Sequence, residues 1–233
     1  HILSNPDGLH PFNDNSVMRS FIFQYTHKTL MRLDLSTLEY IPSLAKELPK
    51  ISDNGLEYTF ELKEGIKWDD GTPLTIDDIV FTTKLQLCPL TDNSAIRGNY
   101  TSVIKTIKTY PNNPNKFTMI AWEKNVTNSS IFSGIYLQQK KHWDPNGVLD
   151  DLTFENIHSK NFKEKDEWSE WFNKFNHGDN RYKPENLVGL GPYQVSEWET
   201  GSYITISRKN NWWGDNDSSV YNQNYPEEII FKI

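Results

Sequence analysis

A chain of 233 residues is long enough to bury a substantial core and holds one large domain or two small ones. Its net charge of −7, with no Lys/Arg block, excludes a nucleic-acid surface built on phosphate contacts. Mean hydropathy is −0.68, yet eight Trp, eleven Tyr and twelve Phe exclude a disordered chain, because rings of that size are buried in bulk.

The single cysteine, Cys88, excludes an internal disulfide. It stands beside Pro89 at the end of an apolar helical pattern, with no His or acid flanking it, and reads as a buried thiol rather than a nucleophile. No apolar run approaches ~18 residues, so no segment reads as a transmembrane helix. The sequence opens on His1 rather than Met, and is read as a mature or trimmed chain from which a signal peptide or lipid anchor has gone.

In chain order, residues 1–12 read as the end of an apolar strand followed by an Asn-Pro-Asp-Gly loop. Residues 17–33 carry Phe21, Ile22, Tyr25, Leu30 and Leu33 at helical spacing, closing on a strand at Met31, Arg32 and Leu33. Residues 56–81 are the most ordered stretch of the pattern. Leu56, Tyr58, Phe60 and Leu62 alternate with Glu57, Thr59, Glu61 and Lys63, which predicts a half-buried strand. Gly65 interrupts it, Ile66 and Trp68 restart the alternation, and Asp70-Gly71 marks a turn. Pro73 bars Thr72 from helical backbone. Thr75 then caps a helix in which Asp78 sits three residues on and Ile76, Ile79 and Val80 share a face. Four carboxylates crowd this region: Asp69, Asp70, Asp77 and Asp78. They lack the ligand spacing of a calcium loop and read as turn and cap residues.

Residues 89–100 read as loop. Residues 101–110 and 116–122 read as two strands around a Pro/Asn turn, residues 125–130 as loop and residues 131–141 as helix. Residues 146–185 are polar, but Trp168, Trp171, Phe172 and Phe175 fall at i, i+3, i+4, i+7 on one helix face and read as core. Strands are expected at Tyr193–Val195, at residues 202–208 and at residues 229–233.

No pattern in the chain carries covalent chemistry. Gly189-Leu190-Gly191 lacks the third glycine of a dinucleotide loop and runs into Pro192 and a strand rather than a helix. No phosphate-binding loop and no nucleophile elbow is present. The six histidines (1, 10, 27, 142, 158, 177) are scattered singly, so no zinc site is expected; His27 and His142 read as packing or surface residues. With 31 acids, nothing singles out a glycosidase pair. Asn99, Asn125, Asn128 and Asn216 open Asn-x-Ser/Thr triplets, a frequent coincidence in an Asn-rich chain.

The stretch from Gly55 to Phe81 closely resembles a signature of bacterial extracellular solute-binding proteins of the peptide, oligopeptide and nickel type, which serve ABC importers. Gly55, Leu56, Tyr58, Phe60, Leu62, Lys63, Gly65, Ile66, Lys67, Trp68, Asp70, Gly71, Pro73, Thr75, Asp78 and Phe81 match it. Ile76 stands where alanine is usual, and Asp69 where histidine is frequent. A second match covers Gly189, Gly191, Pro192, Tyr193, Val195 and Trp198, then Arg208 to Gly214 with its two tryptophans. Leu9 and Pro11, with His10 in place of an acid, and Pro42, Leu44, Ala45 and Leu48 resemble further family segments.

The resemblance implies an α/β fold with mixed sheets, the first lobe of a periplasmic-binding-protein-like type II fold. It implies a main-sheet part from residues 1–43 and 156–233, an inserted subdomain from residues 44–155, and a second lobe outside this chain, in relatives roughly twice as long. The implied function is capture of a peptide or similar solute by two-lobe closure and delivery to ABC permease subunits, with no enzymatic step and no cofactor. The protein is expected to be monomeric and extracytoplasmic, periplasmic or tethered by an N-terminal lipid. By alignment with the family, Asn15, Ser16 and Val17 in the loop after the first strand, and Tyr100 after the signature helix, are the expected ligand contacts. A glycan-binding or other carbohydrate-linked surface protein is the alternative, suggested by the abundance of tryptophan.

Overall fold

A computed structural model describes residues 6, 8–14, 16–217 and 223–233. The strand end expected within residues 1–5 and the ligand contact expected at Asn15 lie outside the described residues. The fold combines helices and sheets as expected, but the described sheets are not mixed: every described strand pairing within the three of them is antiparallel. The chain forms two compact units: residues 1–28, 65–74 and 175–233, and residues 29–64 and 75–174. Each is described by itself.

The first unit is built on helix α1 (Val17–Thr26) and a three-stranded sheet of β7 (Tyr193–Glu199), β8 (Tyr203–Arg208) and β9 (Glu228–Lys232), in that order. The Ser16 hydroxyl caps α1 by accepting from the Arg19 N–H at 3.1 Å. Met18, Ile22 and Phe23 are buried, and the helix packs against β7. Along β7 and β8, Tyr193, Val195, Ile204 and Ile206 are buried. The middle of the signature, residues 65–74, contributes a tight hairpin. Trp68 N–H donates to Thr72 O (2.8 Å) and Leu74 N–H to Ile66 O (3.0 Å). Gly71, at φ +79°, makes the reversal, and the Asp70 carboxylate accepts from both the N–H and the hydroxyl of Thr72. Ile66, Trp68 and Leu74 are buried.

The second unit holds a two-stranded ribbon, β1 (Met31–Leu33) with β2 (Tyr40–Pro42), and a four-stranded sheet. That sheet has the order β3 (Lys50–Ile51), β4 (Glu57–Glu61), β6 (Lys116–Ala121), β5 (Ile104–Thr109). The alternation of β4 is realised: Tyr58, Phe60 and Leu62 are buried, and Phe60 stacks on Phe117 of β6. A bulge shifts the register of β5 between Ile104 and Thr106. Helix α2 (Ile76–Leu87) begins at Thr75 as expected. Asp78 accepts from the Thr75 N–H at 2.9 Å, and its other oxygen accepts from the Lys140 N–H at 2.8 Å, so the cap residue also anchors a distant loop. Cys88 closes α2 in full burial, and desolvation pushes its thiol up to about 11, the opposite of an activated nucleophile.

Two expected local structures are corrected. Residues 89–100 are not simply loop, because Ser94–Thr101 forms helix α3. Its apolar residues are too few to show a period. It is instead secured through Arg97, whose guanidinium donates to the carbonyls of Cys88, Pro89 and Thr91 at 3.0–3.3 Å. Residues 131–141 are not one helix. Helix α4 (Asn128–Ser133) and the single turn α5 (Lys140–Trp143) are separated by an extended run. In that run Ile135 and Leu137 are buried, and Gln138 donates its N–H to the Thr82 hydroxyl at 2.8 Å. The Thr82 contact competes with helical bonding at that position, and Gly134 offers the break. Helix α6 (Phe154–His158) and helix α7 (Asp166–Phe175) follow, and in α7 Trp168, Phe172 and Phe175 are buried on one face.

The ribbon ends in a strained tip: Leu38 is 72% exposed and sits at φ +59°, the left-handed region that costs a branched side chain about 1–2 kcal/mol. Leu38→Gly gives up almost no burial, and is expected to raise unfolding free energy by about 0.5–1 kcal/mol in urea titrations. A loss of stability would show that the tip carries no such strain.

Candidate functional site

The Gly-Leu-Gly-Pro run is the structural centre of the first unit. The Gly191 N–H donates to Thr26 O, the last residue of α1, at 2.9 Å. The approach is so close that a Cβ on Gly189 would lie 2.1 Å from Thr26 O, and one on Gly191 2.2 Å from Tyr25 O. Only glycine fits there. The carbonyls of the same run face the segment after β8. Gly189 O accepts from Lys209 Nζ at 2.6 Å, and Leu190 O accepts from both Trp212 Nε1 and Trp213 Nε1 at 2.9 Å. Pro192 O accepts from the Lys209 N–H at 2.8 Å.

Lys209 is buried and pairs with Asp69 at 2.6 Å, which links this cluster to the signature hairpin. Burial lowers the Lys209 pKa, and the Asp69 charge and hydrogen bond oppose that shift. Of the four crowded carboxylates, Asp70 and Asp78 act as turn and cap residues. Asp69 acts as the counter-ion of a buried ammonium, a role that local sequence does not disclose.

The loop before α1 is organised by His10, which is fully buried. Its Nε2 lies 2.9 Å from Phe175 O, and its Nδ1 accepts from the N–H groups of Phe12 and Asn13 at 3.2 and 3.1 Å. A carbonyl can only accept, so Nε2 carries the proton and the ring is neutral. Desolvation, with the Arg181 and Arg19 charges adding to it, holds its pKa down at about 4. His27 is also buried, stacked on Phe23 with ring centroids 4.0 Å apart, and desolvation holds it at about 3.

Two of the expected ligand contacts stand at the start of α1. Ser16 is half-buried, with its hydroxyl engaged as the cap and its N–H donating to Asp14 Oδ1 at 3.0 Å. Val17 is 62% exposed, and one turn on, Phe21 is 43% exposed. The sequence pattern groups Phe21 with the core; its helical offset from Ile22 places it on the outer face beside Val17 instead. Tyr100 belongs to the other compact unit, half-buried in α3 rather than in a loop. Among the described residues no group of three or more His, Cys, Asp or Glu is placed to hold a metal ion, and no helix is long and apolar enough to cross a membrane.

By its likeness to solved structures, the chain has part of a periplasmic-binding-protein-like type II fold. The chain belongs to the bacterial extracellular solute-binding proteins of family 5: the family model described as "Bacterial extracellular solute-binding proteins, family 5 Middle" matches residues 39–233. It is similar to the oligopeptide-binding protein AppA of Bacillus subtilis, 24% identical over 93% of this chain and 32% of that protein. The solved structure of AppA from Bacillus subtilis in complex with a nonapeptide aligns with 100% of this chain and 38% of that one, at 18% identity and a TM-score of 0.70. A periplasmic oligopeptide-binding protein from Borrelia burgdorferi aligns with 100% of this chain and 42% of that one, at 20% identity and a TM-score of 0.70. The chain thus spans about a quarter to a third of the length of most curated relatives it matches, 32% of AppA and 27% of a probable ABC transporter-binding protein of Deinococcus radiodurans. At these identities the structural likeness shows the fold.

Two outcomes follow from the buried titratable groups. Lys209→Met leaves the Asp69 carboxylate unpaired and is expected to cost about 2 kcal/mol, at the low end because Asp69 stays 35% exposed. The double variant Lys209→Met with Asp69→Leu is expected to recover at least half of that loss in a denaturation cycle, and additivity would show that the pair is uncoupled. His10 and His27 have folded pKa values below the ordinary 6.5, so the unfolded chain binds more protons as pH falls. Stability is therefore fully present above pH ~6.5 and is lost toward pH ~4, by about 1.4 kcal/mol per pH unit per histidine. His10→Asn, measured by urea unfolding across that range, is expected to flatten the slope; an unchanged slope would show that His10 does not titrate with folding.

Proposed function

We propose that this chain is part of an extracytoplasmic receptor that captures a peptide or similar solute by closure of two lobes and hands it to an ABC permease. The observation that carries the reading is family membership across residues 39–233, supported by the oligopeptide-binding proteins among its relatives. In this reading the chain does no covalent chemistry, works as a monomer and contributes to one lobe. The ligand contacts expected of it by the family resemblance are Asn15, Ser16, Val17 and Tyr100. The exposed Val17 and Phe21 supply apolar contact surface beside a capped helix start, a combination suited to the side chains of an extended peptide.

The test is native mass spectrometry of the full-length protein purified from its own cells. A ladder of bound peptide masses is expected. Bound oligosaccharide with no peptide would overturn the reading. The 233-residue chain alone, titrated with peptides in a calorimeter, is expected to give no saturable heat. A sub-micromolar affinity (tighter than about −8 kcal/mol) would show that closure by a second lobe is not needed.

A further inference from the structure

A cleft of about 330 Å³ in the first unit lies between the signature hairpin and the segment that follows β8. Lys209 and Asp69 line it but are spent on each other. Four further polar side chains of the lining are unspent. Gln194, Asn210 and Asn211 are exposed, and their carboxamides bond to no other described residue. Lys67 is exposed and forms no ion pair among the described residues. Trp213, in contrast, is held in place by its indole N–H bond to Leu190 O. Asn211 also sits at φ +56°, a left-handed backbone that asparagine tolerates and glycine adopts freely.

The chemistry of this lining selects among ligand classes. An apolar ligand would desolvate three carboxamides and an ammonium without replacing their hydrogen bonds. An anion would use Lys67 and the amide N–H₂ groups, but would meet the Asp69 carboxylate, which lines the same cleft and stays 35% exposed. A neutral ring bearing vicinal hydroxyls satisfies both halves of each carboxamide, since every hydroxyl donates and accepts. Its C–H surface can rest against a fixed indole. The volume is at the small end for ligand pockets and suits one or two such rings.

We propose that this cleft is a low-affinity site for a neutral pyranose saccharide, with Gln194, Asn210, Asn211 and Lys67 as its hydrogen-bonding groups and Trp213 as its stacking wall. It shares no residue with Ser16, Val17 or Tyr100 and is separate from the solute site proposed above, so either can fail without the other.

The experiment is a titration of the isotope-labelled 233-residue chain, followed by nuclear magnetic resonance. The probes are maltose, cellobiose and diacetylchitobiose, with glucuronate and trialanine as comparisons. At least one neutral disaccharide is expected to shift the side-chain amide signals of Gln194, Asn210 and Asn211 and the Trp213 indole signal. Saturation is expected near about 1–10 mM. Asn211→Gly suits the positive φ and removes only the carboxamide; it is expected to weaken binding about tenfold or more, as is the exposed Gln194→Ala. The site is overturned if no neutral disaccharide gives saturable shifts, if the two variants bind as well as the parent, or if glucuronate or trialanine saturates these signals more tightly.

Discussion

The first unit depends on two adjacent peptide carbonyls. Gly189 O and Leu190 O together receive an ammonium and two indole N–H groups, all from one segment about twenty residues further along the chain. A buried carbonyl left without a donor costs roughly 1–3 kcal/mol, and a buried ammonium without partners costs more. Each group here cancels the other's penalty. The same run has its opposite side pressed on the end of α1 without room for a Cβ. Helix, sheet and hairpin are thereby fixed to a single short stretch, which gives the two tryptophans their orientation and Lys209 its reach to Asp69.

Much of this was legible in the sequence wherever structure is local. The alternation of β4, the Asp70-Gly71 reversal and the Thr75 cap each follow from residues within a few positions of one another, and each is present. The helix at Trp168 to Phe175 was equally plain, because its rings recur at helical spacing. The helix α3 was not, because Arg97 holds it by binding carbonyls rather than by an apolar stripe. Nor was the break at residues 134–139, where Thr82 takes the Gln138 backbone from more than fifty positions away.

The site follows the same division. The cap at Ser16 and the exposure of Val17 are consequences of a helix start and could be expected; the exposure of Phe21 depends on which face the sheet occupies. The Asp69–Lys209 pair joins residues 140 positions apart, and no local pattern announces it. A hint lay in the family resemblance, where Asp69 departs from the frequent histidine. The buried His10 is a similar case. It stands where the family resemblance leads one to expect an acid, and its neutral ring accepts two loop N–H groups, as a carboxylate could, while donating to a third partner.

The four-stranded sheet of the second unit has a further consequence. One of its border strands, β3, is only two residues long, and the other, β5, is interrupted by a bulge and carries Lys105 and Lys108 on exposed positions. An open strand border is a template on which a neighbouring molecule can add its own strand, and shortness, bulges and lysines are the features that deny it one. With one border only two residues long and the other broken by a bulge beside two lysines, this sheet is poorly suited to taking on a strand from a second copy of the chain, so its borders favour the separate molecule over sheet-to-sheet growth.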